Sequence, residues 1–520
     1  MSTDRQRLGF WWIAQDHPGL PAVLESPTES NLTFGEVAGR AHQLVHALRS
    51  KGFGPGDIVA YALPNCVDNL YWQLAFQESG MTGIALNPQL SALEVRSIME
   101  HSSAVGFVVH HQFSERLADF GDTSALRLQV SVGGDIPGYV AYADLVKGHP
   151  TTEPPDRRIG GFISYSSGTT GKPKAIVRPT PPAGNPSDWL DQSSIFGRAF
   201  AFTALKGVHL VSAGMHHGGC QSYYQGALNM GQALVIMAKF DGEETLRLIE
   251  KHRVTTAYMV PTQFVRMLRL PEEVRQRYDL SSLQVVVHSA APCPLEIKQQ
   301  MMDWWGPVIW ETYGGMEGAA TIAKPYRWLE KPGTVGRAVK GMRVMILDDD
   351  GHELPAGEVG AVYMESSGPQ FEYKDDPALT ASVKRGKAFT IGDVGYLDPD
   401  GYLFLRDRAK DMIIAGGVNI FPAEVEGVLS NHPAVGDVAV IGIPHPEWGE
   451  EVKAIVELSD GFQPSDGLAS ELMQYCQDRL AKYKCPRTVD FRDQLPRTNT
   501  GKLLKRNLRD EFWADAGRKL

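Results

Sequence analysis

In 520 residues there are only five cysteines, Cys66, Cys220, Cys293, Cys476 and Cys485, and no two share a C-x-x-C spacing. An odd, scattered set excludes a disulfide framework and a zinc ribbon and fits a reducing compartment. No apolar run approaches the ~18 uninterrupted residues of a membrane span. The apolar patch near the amino terminus is broken by Gln15 and Asp16, too soon for a signal-peptide core. The last three residues, Arg518-Lys519-Leu520, only approximate the peroxisomal Ser-Lys-Leu address. Basic charge is not in excess: 51 Lys and Arg against 61 Asp and Glu leave a formal charge of -10. That balance disfavours nucleic acid and anionic membrane as partners. No fixed-period repeat and no low-complexity tract occurs. The expectation is a cytoplasmic globular protein with no membrane partner.

What is present is ordinary folding material, 43% hydrophobic and 22% charged. At roughly one domain per 150 residues, the length implies about three or four cores, or one multi-lobed domain with a small companion. The coarse pattern alternates helix and strand. Residues 34–52 repeat apolar positions near every 3.6 and stop at glycine, and the strand IVAYAL follows. Helical stretches at 67–80 and 92–103 alternate with the strand-like runs GIALNP and VGFVVH. The rhythm returns at 206–267, where VHLVSA, ALVIMA and TAYMVP surround a helix over 243–252, and LQVVVHSA adds another strand. Apolar, β-branched strands separated by helices indicate an α/β fold with layered, largely parallel sheets. Residues 333–405 read as antiparallel or distorted β structure, dense in glycine. Beyond about 406 the texture becomes that of a small α+β unit of about 110 residues. The predicted organisation is a large N-terminal domain of several subdomains over 1–407 and a small C-terminal domain over 408–520.

The sharpest local feature is Tyr165-Ser166-Ser167-Gly168-Thr169-Thr170-Gly171-Lys172-Pro173-Lys174. Glycines let backbone N–H groups approach an anion, and hydroxyls and ammonium groups add donors, so a polyphosphate is the natural ligand. The NTPase P-loop, G-x-x-x-x-G-K-[ST], does not fit. Ser166 stands where its first glycine belongs, and Pro173 takes the Ser/Thr place.

This segment matches throughout the signature [YFST]-[ST]-S-G-[ST]-T-G-x-P-K, and the chain thereby resembles the adenylate-forming superfamily of acyl-CoA synthetases, luciferases and adenylation domains. Other landmarks follow in the same order. Residues 32–37 (LTFGEV) and 54–57 (GPGD) resemble its amino-terminal landmarks, and Trp310 to Glu317 resembles its Y-G-x-T-E segment. Ile391-Gly392-Asp393 resembles T-G-D, Arg406 to Asp411 the hinge, and 415–426 the glycine loop after it. Pro496 to Lys502 resembles the terminal P-R-[ST]-x-x-G-K.

The resemblance implies an ATP-dependent carboxylic acid–CoA ligase, closest to the acid–CoA ligases of that superfamily. A carboxylate attacks the α-phosphorus of ATP to form acyl-AMP and pyrophosphate, and CoA then displaces AMP as the thioester. It implies that Ser166, Ser167, Gly168, Thr169, Thr170, Gly171, Lys172 and Lys174 hold the phosphates and that Glu317 ligates Mg²⁺. Tyr313 would stack on adenine, with Gly314 and Met316 among the nucleotide contacts. Asp393 would accept from the ribose hydroxyls, and Arg408 would donate to the same sugar. Lys502 would bridge the substrate carboxylate and the phosphate. The small domain would be mobile, turning about Lys410, so that Lys502 leaves and Gly416-Gly417 border a channel for CoA. Two alternatives remain: an enzyme that passes the acyl group to an amine or a carrier-protein thiol, and a non-catalytic nucleotide-binding relative.

The chain departs from the pattern at two places. Met316 stands where the pattern has a threonine whose hydroxyl contacts the α-phosphate, and a missing donor of this kind costs roughly 3 kcal/mol. Thr312 or Thr321 is expected to compensate. Ala175 replaces a glycine, and the Pro-rich stretch after it reads as an exposed loop rather than a lid.

Residues 212–220 occupy the family's P-[LM]-[FY]-H region, with His217 at the histidine. His217, Cys220 and Gly315 are expected to border the acyl pocket, together with Tyr223 and Tyr224. Between 212 and 231 there is no Asp or Glu to pair a substrate ammonium. The expected substrate is therefore an uncharged or weakly polar acid, fatty, alicyclic or aryl.

Overall fold

The computed structural model describes residues 7–513 except 118–120, 122, 167–173, 180–183, 194, 369, 409–410, 416–417, 447 and 498–502. The chain forms two compact units. The first holds residues 1–289, 300–310 and 369–377, and the second holds 290–299, 311–368 and 378–520.

In the first unit the expected alternation of helix and strand is present. Six strands, Val140–Ala141, Leu128–Val132, Gly106–His110, Ile58–Ala62, Thr82–Ala85 and Gly161–Phe162, pair in that order, every pair parallel. Successive strand residues point to opposite faces, and both faces are covered here. Val59 and Tyr61 join a cluster with Trp72 and Phe76, whereas Ala60 and Ala62 join one with Ile98 and Phe107. Burial on both sides explains why IVAYA is apolar without alternation. Helices before and between these strands start where the sequence caps them. Thr33 opens Phe34–Ser50 and Ser91 opens Ala92–Ser102, each through a reciprocal capping box with the glutamate three residues on. A second parallel set contains Pro21–Glu25, Ala233–Ile236, Val208–Val211, Thr256–Met259 and Val285–His288. A small antiparallel sheet joins Ser164–Ser166, Lys174–Val177 and Glu372–Tyr373.

The second unit is antiparallel over most of the stretch read as distorted β. The strands Ile309–Gly315, Gly318–Ala323, Thr334–Ala338, Leu403–Arg408, Asp393–Leu397 and Gly360–Ser366 follow one another in its sheet. Towards the carboxy terminus, Val435–His445 and Gly449–Leu458 form a long hairpin, and Thr488–Arg492 lies parallel to the second arm. Val438, Val440, Ala454 and Val456 pack with Leu429 and Leu472 on one face of that hairpin. Ala439, Ile441 and Ile455 pack with Leu495 and Leu508 on the other. The helices Pro422–Leu429 and Asp466–Gln477 supply the first face, and Lys505–Trp513 supplies the second. No helix among the described residues is long and apolar enough to cross a membrane.

Candidate active site

Three segments expected to carry chemistry are bracketed by backbone pairing, two by paired strands and one by an isolated bridge. Ser166 lies opposite Lys174, so the two ends of 167–173 are held side by side. Ala415 lies opposite Val418 around Gly416 and Gly417, and Arg497 opposite Leu503 around 498–502. Arg497 is itself fixed by a bidentate pair with Asp437, at 2.7 and 2.6 Å. Ser167, Gly168, Thr169, Thr170, Gly171, Lys172, Lys410, Gly416, Gly417 and Lys502 lie outside the described residues. Residues 180–183 of the Pro-rich stretch lie outside them too. Lys174 is described: its Nζ sits 5.6 Å from the centre of the Tyr373 ring, a cation–π approach that aligns the start of its strand.

In the second unit, Tyr313 and Asp393 come together although 80 residues separate them. The Tyr313 hydroxyl donates to Asp393 Oδ2 at 2.7 Å, and both residues are 8% exposed. Arg408 is the antiparallel register partner of Asp393, which brings a third expected nucleotide contact to the same strand pair. The reason is local. Asp393 opens its strand, Tyr313 lies near the end of another, and both are side chains of a sheet rather than of mobile loops.

Met316 and Glu317 form the two-residue tip between the strands Ile309–Gly315 and Gly318–Ala323, with Gly315 opposite Gly318. A Cβ on Gly315 would meet Glu317 Oε2 at 2.4 Å, so any larger residue there would push the flexible glutamate aside. The Glu317 carboxylate folds back over its own strand into space that glycine leaves. Gly315 was expected to open the acyl pocket, and the group lying against it is Glu317.

The expected compensation for Met316 is corrected. The Thr312 hydroxyl donates to the Thr321 carbonyl at 2.8 Å, and the Thr321 hydroxyl donates to the Val335 carbonyl at 2.5 Å. A hydroxyl has one proton, and both protons are committed to sheet carbonyls in a buried place. Neither supplies the missing donor.

The stretch read as the acyl wall is rigidly framed. Asn65 Nδ2 donates to the Ala213 and Met237 carbonyls at 2.9 and 3.0 Å, while its Oδ1 accepts from the Met215 N–H at 2.8 Å. His217 is the N-cap residue of the helix Gly218–Asn229. Its ring lies 4.0 Å from that of His216, and burial holds the His217 pKa down to about 4. His216 is depressed well below the usual range by burial and then by its neighbour. Both rings are neutral at neutral pH. Cys220 is fully buried, its thiol pushed up to about 12 by burial, with Sγ directed at the Ala213 carbonyl. That sulfur is no nucleophile. Tyr223 stacks on Tyr258 at 4.7 Å, and the Tyr258 and Ser289 hydroxyls are 3.0 Å apart. Gly219 gives the Tyr258 hydroxyl its room, since a Cβ there would meet it at 2.7 Å.

Sequence reasoning missed three features. Lys298, 1% exposed in its side chain, is paired with Glu311 at 2.5 Å and lies over the Trp328 ring. Nothing in a lone lysine on an amphipathic helix announces a buried partner. Asn65 was invisible for the same reason, because all its bonds are long-range. For His216 a signal existed: histidine stands where the P-[LM]-[FY]-H pattern has Phe or Tyr.

The chain matches the AMP-binding enzyme family model over residues 10–371 and the AMP-binding enzyme C-terminal domain model over 424–502. It is 31% identical over 508 residues to an indoleacetate–CoA ligase of Aromatoleum aromaticum, covering 96% of this chain and 97% of that one. Among solved structures it resembles the anthranilate CoA ligase AuaEII in complex with anthranoyl-AMP, with TM-score 0.86 and 25% identity, covering 98% of each chain. It also resembles the amide bond synthetase McbA from Marinactinospora thermotolerans, with TM-score 0.82 and 26% identity, covering 97% of this chain and 100% of that one.

Proposed function

The chain belongs to the AMP-binding enzyme family, and from that premise we propose that it is an ATP-dependent carboxylic acid–CoA ligase working through an acyl-adenylate. The observation that carries the reading is that the Tyr313 hydroxyl reaches Asp393 from a separate strand of the same sheet, while Arg408 is the register partner of Asp393 on the adjoining strand. Asp393 accepts from the ribose hydroxyls, and Arg408 donates to the same sugar. Tyr313 orders the Asp393 carboxylate and offers its ring to adenine.

In the first step a carboxylate oxygen of the acid bonds to the α-phosphorus, and the bond to the β-phosphate oxygen breaks, releasing pyrophosphate. Charge spreads over the phosphoryl oxygens, so positioning and cationic stabilisation dominate. Ser166 to Lys172 and Lys174 grip the phosphates, and Lys502 steers the substrate carboxylate onto the phosphorus. Glu317 is a hard ligand at a hairpin tip, in a cradle that a side chain on Gly315 would fill, and this fits magnesium. Bound there with phosphate oxygens, Mg²⁺ would neutralise their charge. In the second step the CoA sulfur bonds to the acyl carbon and AMP departs. The boundary at 407–408 and rotation about Lys410 belong to the same proposal: Lys502 withdraws and Gly416-Gly417 admit the pantetheine arm. A cytoplasmic location is included, because ATP and CoA are supplied there and all five cysteines are free thiols.

The acid is uncharged beyond its carboxylate. The 212–231 stretch has no acidic or basic side chain except two histidines that burial keeps neutral. The test is a pyrophosphate-release screen over carboxylic acids with CoA, amines or no acceptor. Release stimulated by CoA and not by amines is expected. Stimulation by amines alone would make the enzyme an amide ligase, and no release with any acid would overturn the reading.

A further inference from the structure

Lys174 ends the phosphate segment without a counter-charge. Among the described residues no carboxylate lies within ion-pair distance of its ammonium, and the partner it does have is the Tyr373 ring, 5.6 Å from Nζ to the ring centre. The small sheet brings the two together. Tyr373 is the antiparallel register partner of Ile176, two residues along the strand from Lys174, so lysine and ring are diagonal neighbours on one face. The ring is held in place: Tyr373 is 7% exposed and packs edge-to-face on the buried Phe371 ring, at 5.4 Å and 76°. Its strand is held as well. The Lys374 N–H donates to the Ala175 carbonyl at 2.9 Å, and the Lys374 ammonium donates to the His101 carbonyl at 3.1 Å.

We propose that Tyr373 is a positioning residue for ATP, holding the Lys174 ammonium over its ring so that the charge meets the polyphosphate already aimed and not neutralised. This rests on the acid–CoA ligase reading, in which Lys174 grips the phosphates, and goes further by naming the group that aims it. Fixing a lysine side chain costs rotamer entropy, and one held beforehand loses less of it on binding. A carboxylate would hold the ammonium too, but it would cancel the charge and compete with the phosphate oxygens. An aromatic face attracts a cation through its quadrupole and carries no net charge. The ring therefore orients the lysine and leaves its full charge for the anion.

The test compares Tyr373→Leu, which keeps an apolar side chain but removes the ring, with Tyr373→Phe, which keeps the ring. In CoA-dependent pyrophosphate release, Tyr373→Leu is expected to raise KM for ATP roughly three- to tenfold, the scale of one partly buried cation–π contact, and to leave KM for the acid within about twofold. Tyr373→Phe should stay within about twofold of wild type in both. In a Lys174→Met background the loss of the ring should add no more than about twofold, because the group it aims is gone. The second readout is thioester formation from preformed acyl-adenylate and CoA, a step with no polyphosphate. Tyr373→Leu should leave that rate within about twofold, whereas general damage to the fold would slow both steps together. Four results would overturn the assignment: an unchanged KM for ATP in Tyr373→Leu, an equal rise in the Lys174→Met background, a Phe variant as impaired as the Leu variant, or a parallel loss in the thioester step. Absence of pyrophosphate release by the wild type with any acid would instead overturn the ligase reading itself.

Discussion

Tyr313 and Asp393 are joined by a 2.7 Å hydrogen bond that ties the end of one strand to the start of another, with both groups nearly out of water. Removing only the donor isolates its worth. Tyr313→Phe should raise KM for ATP roughly tenfold with a smaller change in kcat, because a carboxylate short of one buried donor loses about 1–3 kcal/mol of order. Asp393→Ala should do more damage. Equal KM for ATP in the Phe variant and wild type would detach Tyr313 from nucleotide binding.

Gly315→Ala should displace the Glu317 carboxylate, since the added carbon would lie 2.4 Å from Oε2. The expected result is a folded protein that needs several-fold more Mg²⁺ for half-maximal adenylation. A magnesium titration that superimposes on wild type would show that the carboxylate has another place to go.

Met316→Thr should accelerate adenylation, by up to about a hundredfold, because the Thr312 and Thr321 protons are already held by backbone carbonyls. The control is Thr321→Val, which should lower stability by about 1–2 kcal/mol and leave the adenylation rate near wild type. A slow Thr321→Val enzyme with normal stability would restore the compensation idea.

Lys298→Met should destabilise the fold by about 3–5 kcal/mol, since it strands the Glu311 carboxylate in a place where the pair is almost wholly buried. Adding Glu311→Gln should recover much of that loss. Urea unfolding of the two single variants and the double variant measures the coupling. Additive losses would mean that the pair does not interact.

Acid should loosen the stretch around His217 before it touches most carboxylates. In the unfolded chain the His217 ring takes up a proton below about 6.5, while in the folded chain burial delays this to about 4. Stability from this ring is therefore whole above pH 6.5 and is lost as pH falls through that window. His209, held down to about 3 by burial, acts in the same direction. Melting temperature against pH should fall less steeply for His217→Gln than for wild type. An unchanged slope would mean that His217 protonates at its ordinary pKa in the fold.

Much of this was legible in the chain itself, for a physical reason. Periodicity, caps and turns are short-range, so the capping boxes at Thr33 and Ser91, the buried strands and the landmark order could be read directly. The compensation expected from Thr312 and Thr321 failed because a hydroxyl's availability depends on what it already bonds. Those partners are sheet carbonyls on facing strands. His216 breaks the P-[LM]-[FY]-H pattern that His217 completes, and only packing decides that its Nε2 is left without a partner among the described residues.

The sequence alone determined the fold class and the family, and it supplied the residues proposed to handle phosphate and sugar, since these depend on residue type and order. Only the tertiary structure decided which of them face each other. Tyr313 reaches Asp393, Lys298 reaches Glu311, Glu317 folds onto Gly315, and His216 is left with an unanswered nitrogen. Hydrogen bonds act over about 3 Å, and whether two side chains come that close is set by strand register and packing.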